Sequence, residues 1–230
     1  MNAMMLWRVG GCGVMMCVTG LACWAAAERR SAQSMPAQRR ADGMSLEEAL
    51  AKRRSVRDFR EEPLTDQQIA QLCWAAQGVT DKRSGKRTCP SAGALYPLEL
   101  RVVTREGVCR YIHARHGLVE QLKGDLRGKL AAAALRQRWI KEAPAVFVIT
   151  AVVSRTEKKY GDRAARYVHM EAGHAGQNLL LQAVSLGLAA VPVGAFDDRA
   201  VAKVLTLPVG ETPLYLIPVG LQAKRSAREQ

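Results

Sequence analysis

Arg53-Arg54-Ser55-Val56-Arg57 puts three guanidinium groups and a hydroxyl into five residues. Arginine presents a planar fork of donors that matches phosphate oxygens, and serine adds one more donor. The same residues also suit an exposed basic turn. A second stretch, Cys89-Pro90-Ser91-Ala92-Gly93-Ala94-Leu95-Tyr96-Pro97, sets small residues and one tyrosine between two prolines. Small side chains let backbone amides approach a flat ligand closely, although a tight loop before a strand has the same composition. Glu171 and His174 stand at the spacing of half a di-iron carboxylate site, but no second such pair is present. His169 and His174 are five apart, which misses the four-residue spacing of a zinc helix. No metal site is expected. There is no Gly-x-Ser-x-Gly elbow and no phosphate-binding lysine loop.

The elements that must position these residues are legible in outline. Ser45-Leu46-Glu47-Glu48 opens a short helix that runs into Lys52-Arg53-Arg54, and Thr65-Asp66-Gln67-Gln68 opens a second that stops at Gly78. Residues 79–90 read as a loop. Residues 98–103 alternate like a half-buried strand, and 108–112 pair with them as a hairpin. Residues 118–140 read as mainly helical. Residues 145–153 are β-branched throughout much of their length and predict a strand buried on both faces. A long helix is expected over 161–188, then a short strand at 189–193, a helix capped by Asp197 or Asp198, and a last strand at 214–219. Strands and helices mix without strict alternation, which is an α+β pattern.

The net charge of +13 is compatible with an anionic cofactor, an anionic membrane face or nucleic acid. Nucleic acid fits worst, because no basic run is interleaved with aromatics for base stacking. Residues 9–27 carry no charge, follow Arg8, and end in Ala25-Ala26-Ala27. This predicts a secretory signal over 1–27, cleaved after Ala27, and hence a periplasmic or secreted protein without stable membrane insertion. An uncleaved anchor or lipidation at Cys23 are the alternatives. Residues 28–44 read as a polar linker and 45–230 as the folded domain. Three cysteines, Cys73, Cys89 and Cys109, lie beyond the signal, and none has CxxC spacing. They read as small buried hydrophobes, with Cys89 a candidate to line a pocket.

Five motifs occur in order: Arg-Arg-Ser-x-Arg from Arg53, Pro-Ser-Ala-Gly-Ala-Leu-Tyr-Pro from Pro90, Lys159-Tyr160-Gly161-x-Arg163, Glu171-Ala172-Gly173-His174-x-x-Gln177-Asn178, and Val191-Pro192-Val193-Gly194. Together they resemble the nitroreductase-like flavoproteins, specifically the SagB-type dehydrogenase branch, over about residues 46–222. The resemblance implies a central mixed β-sheet flanked by helices, and a homodimer with FMN at the subunit interface. It implies that Arg53, Arg54, Ser55 and Arg57 hold the phosphate and ribityl chain. Pro90, Ser91, Ala92, Gly93 and Leu95 would lie against the isoalloxazine, partly from the other subunit. Val193 and Gly194 would offer a backbone N–H toward flavin N5, Gln177 would support the site or the dimer core, and Lys224 and Arg225 would assist at the phosphate. Lys159 and Tyr160 match the pair that abstracts a proton in azole-forming relatives. The implied activity is an FMN-dependent oxidoreductase that passes hydride between a small-molecule donor and acceptor. A non-catalytic envelope flavin carrier and an azoline-oxidising dehydrogenase are the alternatives, the latter at odds with the export signal.

Overall fold

The computed structural model describes residues 33–38 and 43–223. The expected signal at 1–27 and the candidates Lys224 and Arg225 lie outside the described residues. Helix α1 (Leu46–Lys52) starts where the Ser45 side chain accepts the Glu48 N–H. Helix α2 (Asp66–Gln77) starts at a reciprocal capping box between Thr65 and Gln68. Gly78 ends α2, but not in the left-handed conformation usual for such a glycine, since its φ is −67°. It is required by close approach instead: a Cβ there would lie 2.2 Å from Trp74 Cδ1.

Residues 79–90, read as a loop, contain a small hairpin, β2 (Val79–Asp81) with β3 (Lys86–Arg87). The main sheet follows, with β4 (Leu98–Val103) and β5 (Gly107–Ile112) antiparallel as expected. The next element corrects the sequence reading. Residues expected to begin a helix at 118 form strand β6 (Gly117–Lys123), which pairs with β5 along its length. Leu118, Gln121 and Leu122 suit a helix by intrinsic preference, but the open edge of β5 overrides so weak a bias. Gly124, at φ +86°, ends the strand, and only then do α3 (Arg127–Ala133) and α4 (Arg138–Glu142) form.

Strand β7 (Ala145–Ala151) is buried at every residue. Helix α5 (Ser154–Tyr160), helix α6 (Ala164–Ser185), strand β8 (Ala189–Ala190), helix α7 (Asp198–Val204) and strand β9 (Thr212–Gly220) complete the chain. The seven strands run β1-β6-β5-β4-β7-β9-β8, where β1 is Gln33–Ser34. The expected mixed sheet is antiparallel at every one of these pairings. The parallel component among the described residues is a single bridge, Ser55 to Ala190. β1 also corrects the linker reading. Residues 33–38 are part of the fold: Gln33 and Ser34 pair with Leu118 and Gly117, and Pro36 O accepts from His116 Nε2 at 2.9 Å.

The core lies on both faces of the sheet. Phe147 and Ile149 of β7 face α2 and α6, packing with Leu72, Leu179 and Ile217. Val146 and Val148, the alternate positions, face α3, α4 and α7 with Leu130, Ile140, Val201 and Leu216. This period-two division explains the continuous apolar run of β7. One charged group crosses the sheet. Arg101 on β4, 1% exposed, forks onto Glu211 and donates from Nη1 to Thr150 Oγ1 on β7 at 2.9 Å.

Candidate functional site

The chain leaves α1 at Arg53, whose N–H still closes on Ala49 O, and then runs beside β8, where Val56 N–H donates to Ala190 O at 3.1 Å. That course opens a cleft of about 1080 Å³. Its lining includes Arg53, Arg54, Ser55 and Arg57 of the first motif, together with the apolar Leu180, Val184 and Leu188. Two further cations were not foreseen. Lys52 comes from the end of α1, and Arg138 comes from the start of α4, 80 residues from its ion-pair partner Asp58. Five cationic side chains therefore face this cleft with Asp58 as the one carboxylate among its lining residues. The Arg57 guanidinium, on an exposed residue, stands 5.3 Å from the Trp139 ring, a cation–π contact that restrains it. Arg54 is folded back onto the carbonyls of Ala51 and Arg53.

The 90–95 loop is a separate construction. A short 3₁₀ turn, Ala92–Ala94, carries positive φ at Gly93 (61°) and Ala94 (54°), and Tyr96 adds a third (47°). Backbone of this kind persists only where its surroundings hold it. Ser91 Oγ accepts the Tyr96 N–H at 2.9 Å, Tyr96 Oη accepts the Arg87 N–H at 3.3 Å, and Arg155 donates to Tyr96 O at 3.3 Å. The Arg87 guanidinium lies 4.3 Å over the Tyr96 ring and donates to Gln77 Oε1 and His113 Nε2, each at 2.8 Å. Burial, then Arg87, drives the His113 imidazole down to about 4, so it accepts as a neutral ring.

Lys159 and Tyr160, at the end of α5, come to this loop. A Cβ on Gly93 would sit 2.9 Å from Tyr160 Oη and 3.1 Å from Lys159 Nζ. Lys159 Nζ lies 5.5 Å from the Tyr160 ring centre, and Tyr160 meets Tyr167 edge to face at 5.1 Å. On the other side of the loop, Pro90, Ser91 and Ala92 share a cleft of about 260 Å³ with Tyr167, Glu171 and His174 of α6. Glu171, noticed in the sequence only as half of a metal motif, is 3% exposed. Burial raises its carboxyl to about 7, opposed by a hydrogen bond from Ser91 and by Arg87. Cys89 is buried and donates its thiol to Glu171 O at 3.4 Å. Burial pushes that thiol up to about 12, which keeps it protonated and unreactive. Leu95 is half-buried behind the turn.

The remaining candidates stand apart. Val193 N–H is taken up by Leu216 O at 2.8 Å, whereas Gly194 beyond it is exposed. Gln177 is exposed on α6, and its neighbour Asn178 donates to Thr88 O at 3.4 Å. The two clefts lie toward opposite ends of α6. Glu171 marks one and Val184 the other, about 20 Å along the helix axis at ~1.5 Å per residue.

Residues 50–221 match the sequence model of the Nitroreductase family. A Methanocaldococcus jannaschii protein named as a nitroreductase is 49% identical over 183 residues, which is 77% of this chain and 91% of that protein. Among solved structures, a nitroreductase-type protein from Ralstonia eutropha superposes with a TM-score of 0.76 at 27% identity, over 84% of this chain and 90% of that one. The NADPH:FMN oxidoreductase of Vibrio harveyi, solved with NAD+, shares the fold at a TM-score of 0.59 and 21% identity, over 78% of this chain and 69% of that one.

Proposed function

Because the chain belongs to the nitroreductase family, whose members are oxidoreductases, we propose that it is an FMN-dependent enzyme of the SagB-type branch that passes hydride between a small-molecule donor and acceptor. The observation that carries the cofactor is the cationic cleft. Lys52, Arg53, Arg54, Arg57 and Arg138 lining a cavity that also carries the apolar Leu180, Val184 and Leu188 suit a phosphate monoester joined to a largely apolar ring system. The fold shared with an NADPH:FMN oxidoreductase supports the same reading. Bound there, the flavin supplies the hydride chemistry, and the protein supplies orientation and charge.

The chain's own residues divide the work. Arg53, Ser55 and Arg57 hold the phosphate, with Arg138 as a further cation. The 90–95 loop presents a small-residue face to the ring. Lys159 and Tyr160, held against Gly93, are placed to move a proton at the acceptor. The distance of the loop from the cationic cleft within one chain favours a homodimer. A two-fold axis across α6 brings the loop of one subunit to the arginines of its partner. With residues 1–27 read as an export segment, the enzyme works outside the cytoplasm.

The test is direct. Purified protein is incubated with FMN, desalted, and its visible spectrum recorded, then reduced anaerobically and challenged with acceptors. A yellow, reducible, dimeric protein is expected. A colourless protein after incubation with excess FMN overturns the reading.

A further inference from the structure

Residues 33–37 run as a strap from strand β6 to helix α2. Gln33 and Ser34 pair with Leu118 and Gly117, Met35 N–H donates to His116 O at 3.2 Å, and Gln67 Nε2 on α2 donates to Ala37 O at 3.1 Å. Met35, Ile69 and Leu118 pack against the core, and a cavity of about 60 Å³ remains beneath the strap, lined also by Asp66. Gln33, Ser34, Pro36 and Ala37 are exposed. Little apolar burial holds the strap, so its few polar links decide whether it stays in place.

His116 stands at the centre of those links. It occupies the turn between β5 and β6 in a left-handed conformation, φ +48°, which a non-glycine residue keeps only where its surroundings hold it. Its ring is bonded on both sides, Nε2 to Pro36 O and Nδ1 to Tyr111 Oη, each at 2.9 Å. A carbonyl only accepts, so Nε2 carries the proton, and bare Nδ1 accepts from the Tyr111 hydroxyl. Tyr111 is 3% exposed, and this is its hydroxyl's one hydrogen bond among the described residues. A second proton on the ring, at Nδ1, sets a donor against a donor. The buried phenol must then turn its hydrogen away from its one acceptor, which costs the bond.

We propose that His116 is a pH-sensitive latch for the strap: the neutral ring fastens residues 33–37, and its protonation releases them and uncovers the outer edge of β6. Burial holds the imidazole below its ordinary value of 6.5, against the Pro36 carbonyl, which favours the charged form. With the strap off, the ring returns to water and to its ordinary value. The closed state therefore binds fewer protons than the open one, so closure is complete above 6.5 and weakens as pH falls below it. The groups around the ring do not titrate in its place. Tyr111 of β5 keeps its proton, because burial pushes its phenol up. His113 and Arg115 share the turn, and burial, then Arg87, holds His113 down at about 4. Asp66 of α2 lies beneath the strap, Cys73 of α2 is buried and protonated, and Arg87 of β3 is a fixed charge acting on Tyr111. The strap itself carries no ionisable side chain.

The test follows amide hydrogen exchange at Met35 in the full chain from pH 7 to pH 5, corrected for intrinsic exchange, with Val148 of β7 as the reference for global opening. Met35 protection is expected to fall about fivefold relative to Val148 over that range, and the His116 ring to titrate below 6.5 by NMR. His116→Gln, which stays uncharged, is expected to lose the pH dependence whatever its level of protection. Tyr111→Phe removes the phenol proton that protonation would strand, and is expected to bring the His116 titration back toward 6.5. His113→Gln is expected to leave the Met35 profile as in wild type. A flat wild-type profile, a dependence that persists in His116→Gln, one abolished by His113→Gln, or a His116 titration unmoved by Tyr111→Phe overturns the latch.

Discussion

Gly93 and Tyr160 meet so closely that a methyl group on the glycine would stand 2.9 Å from the phenol oxygen. The contact joins the turn of the 90–95 loop to the end of α5. Gly93→Ala adds both backbone strain, at φ +61°, and this collision. Gly85, at φ +69° with open space around it, isolates the strain alone. Gly85→Ala is expected to cost about 1 kcal/mol. Gly93→Ala is expected to cost more and to shift the Tyr160 ring resonances, as thermal melts and NMR would show. Equal costs with an unmoved Tyr160 would remove the contact from the account.

At the cationic cleft, Arg57→Ala should weaken FMN binding by about 1.5–3 kcal/mol, the value of one hydrogen bond to a charged group. Arg138→Ala should weaken it less, because that side chain is more than half exposed and already shared with Asp58. Fluorescence quenching of FMN at several salt concentrations measures both. Unchanged affinity in Arg57→Ala would place the phosphate elsewhere.

Glu171 also makes global stability depend on pH. Its ordinary value is 4.5 and burial raises it to about 7 in the native state. Between those values the native chain keeps a proton that the unfolded chain has lost. The contribution is complete below 4.5 and is lost as pH rises through about 7. Glu171→Gln lacks it, so its stability relative to wild type should climb from pH 5 to pH 8. Parallel denaturation curves for the two proteins across that range would contradict the assignment.

Arg101, Thr150 and Glu211 form a buried set that spans β4, β7 and the residue just before β9. Glu211→Ala leaves a guanidinium buried without its carboxylate, and a loss of about 3–5 kcal/mol is expected. Arg101→Met combined with Glu211→Leu removes both charges and should cost less than the single change. Urea denaturation decides, and a double variant less stable than Glu211→Ala would argue for a net attractive ion pair.

The proposed homodimer predicts a specific weak point. Met170, 49% exposed, and half-buried Leu181 stand three helical turns apart on α6, two large apolar side chains left partly open to solvent. Leu181→Glu should shift the protein to monomer in sedimentation and remove FMN binding together with it. A dimer that survives the substitution would move the interface off this helix.

Where the sequence carried local physics, it was readable. The caps at Ser45, Thr65 and Asp197 formed as their side chains predict. The buried run of β7 and the long helix α6 stood out by pattern. Residues 117–123 did not, because their state is decided by the edge of β5 rather than by their own preference. The candidate site divides in the same way. Arg53, Arg54, Ser55 and Arg57 fall within five consecutive residues and stand out as a cluster. Arg138 reaches the same cleft from 80 residues beyond Asp58, and Glu171 shares a cleft with Ser91 from a similarly distant part of the chain. No composition or spacing within a window marks such a pair. Arg87, which holds Tyr96 by its ring and its backbone amide, lay in a stretch read as loop.

Strand β1 has a meaning for how this protein survives in company. Two residues, Gln33 and Ser34, cover the outer edge of β6, and His116 and Met35 fasten the segment that follows. A chain trimmed to begin at residue 43 would keep every group at both clefts, yet it would present β6 as an open row of amides and carbonyls. Rows of that kind recruit strands from other molecules and lead to aggregates. Solubility, on this view, resides in a stretch that composition alone would pass over as a spacer.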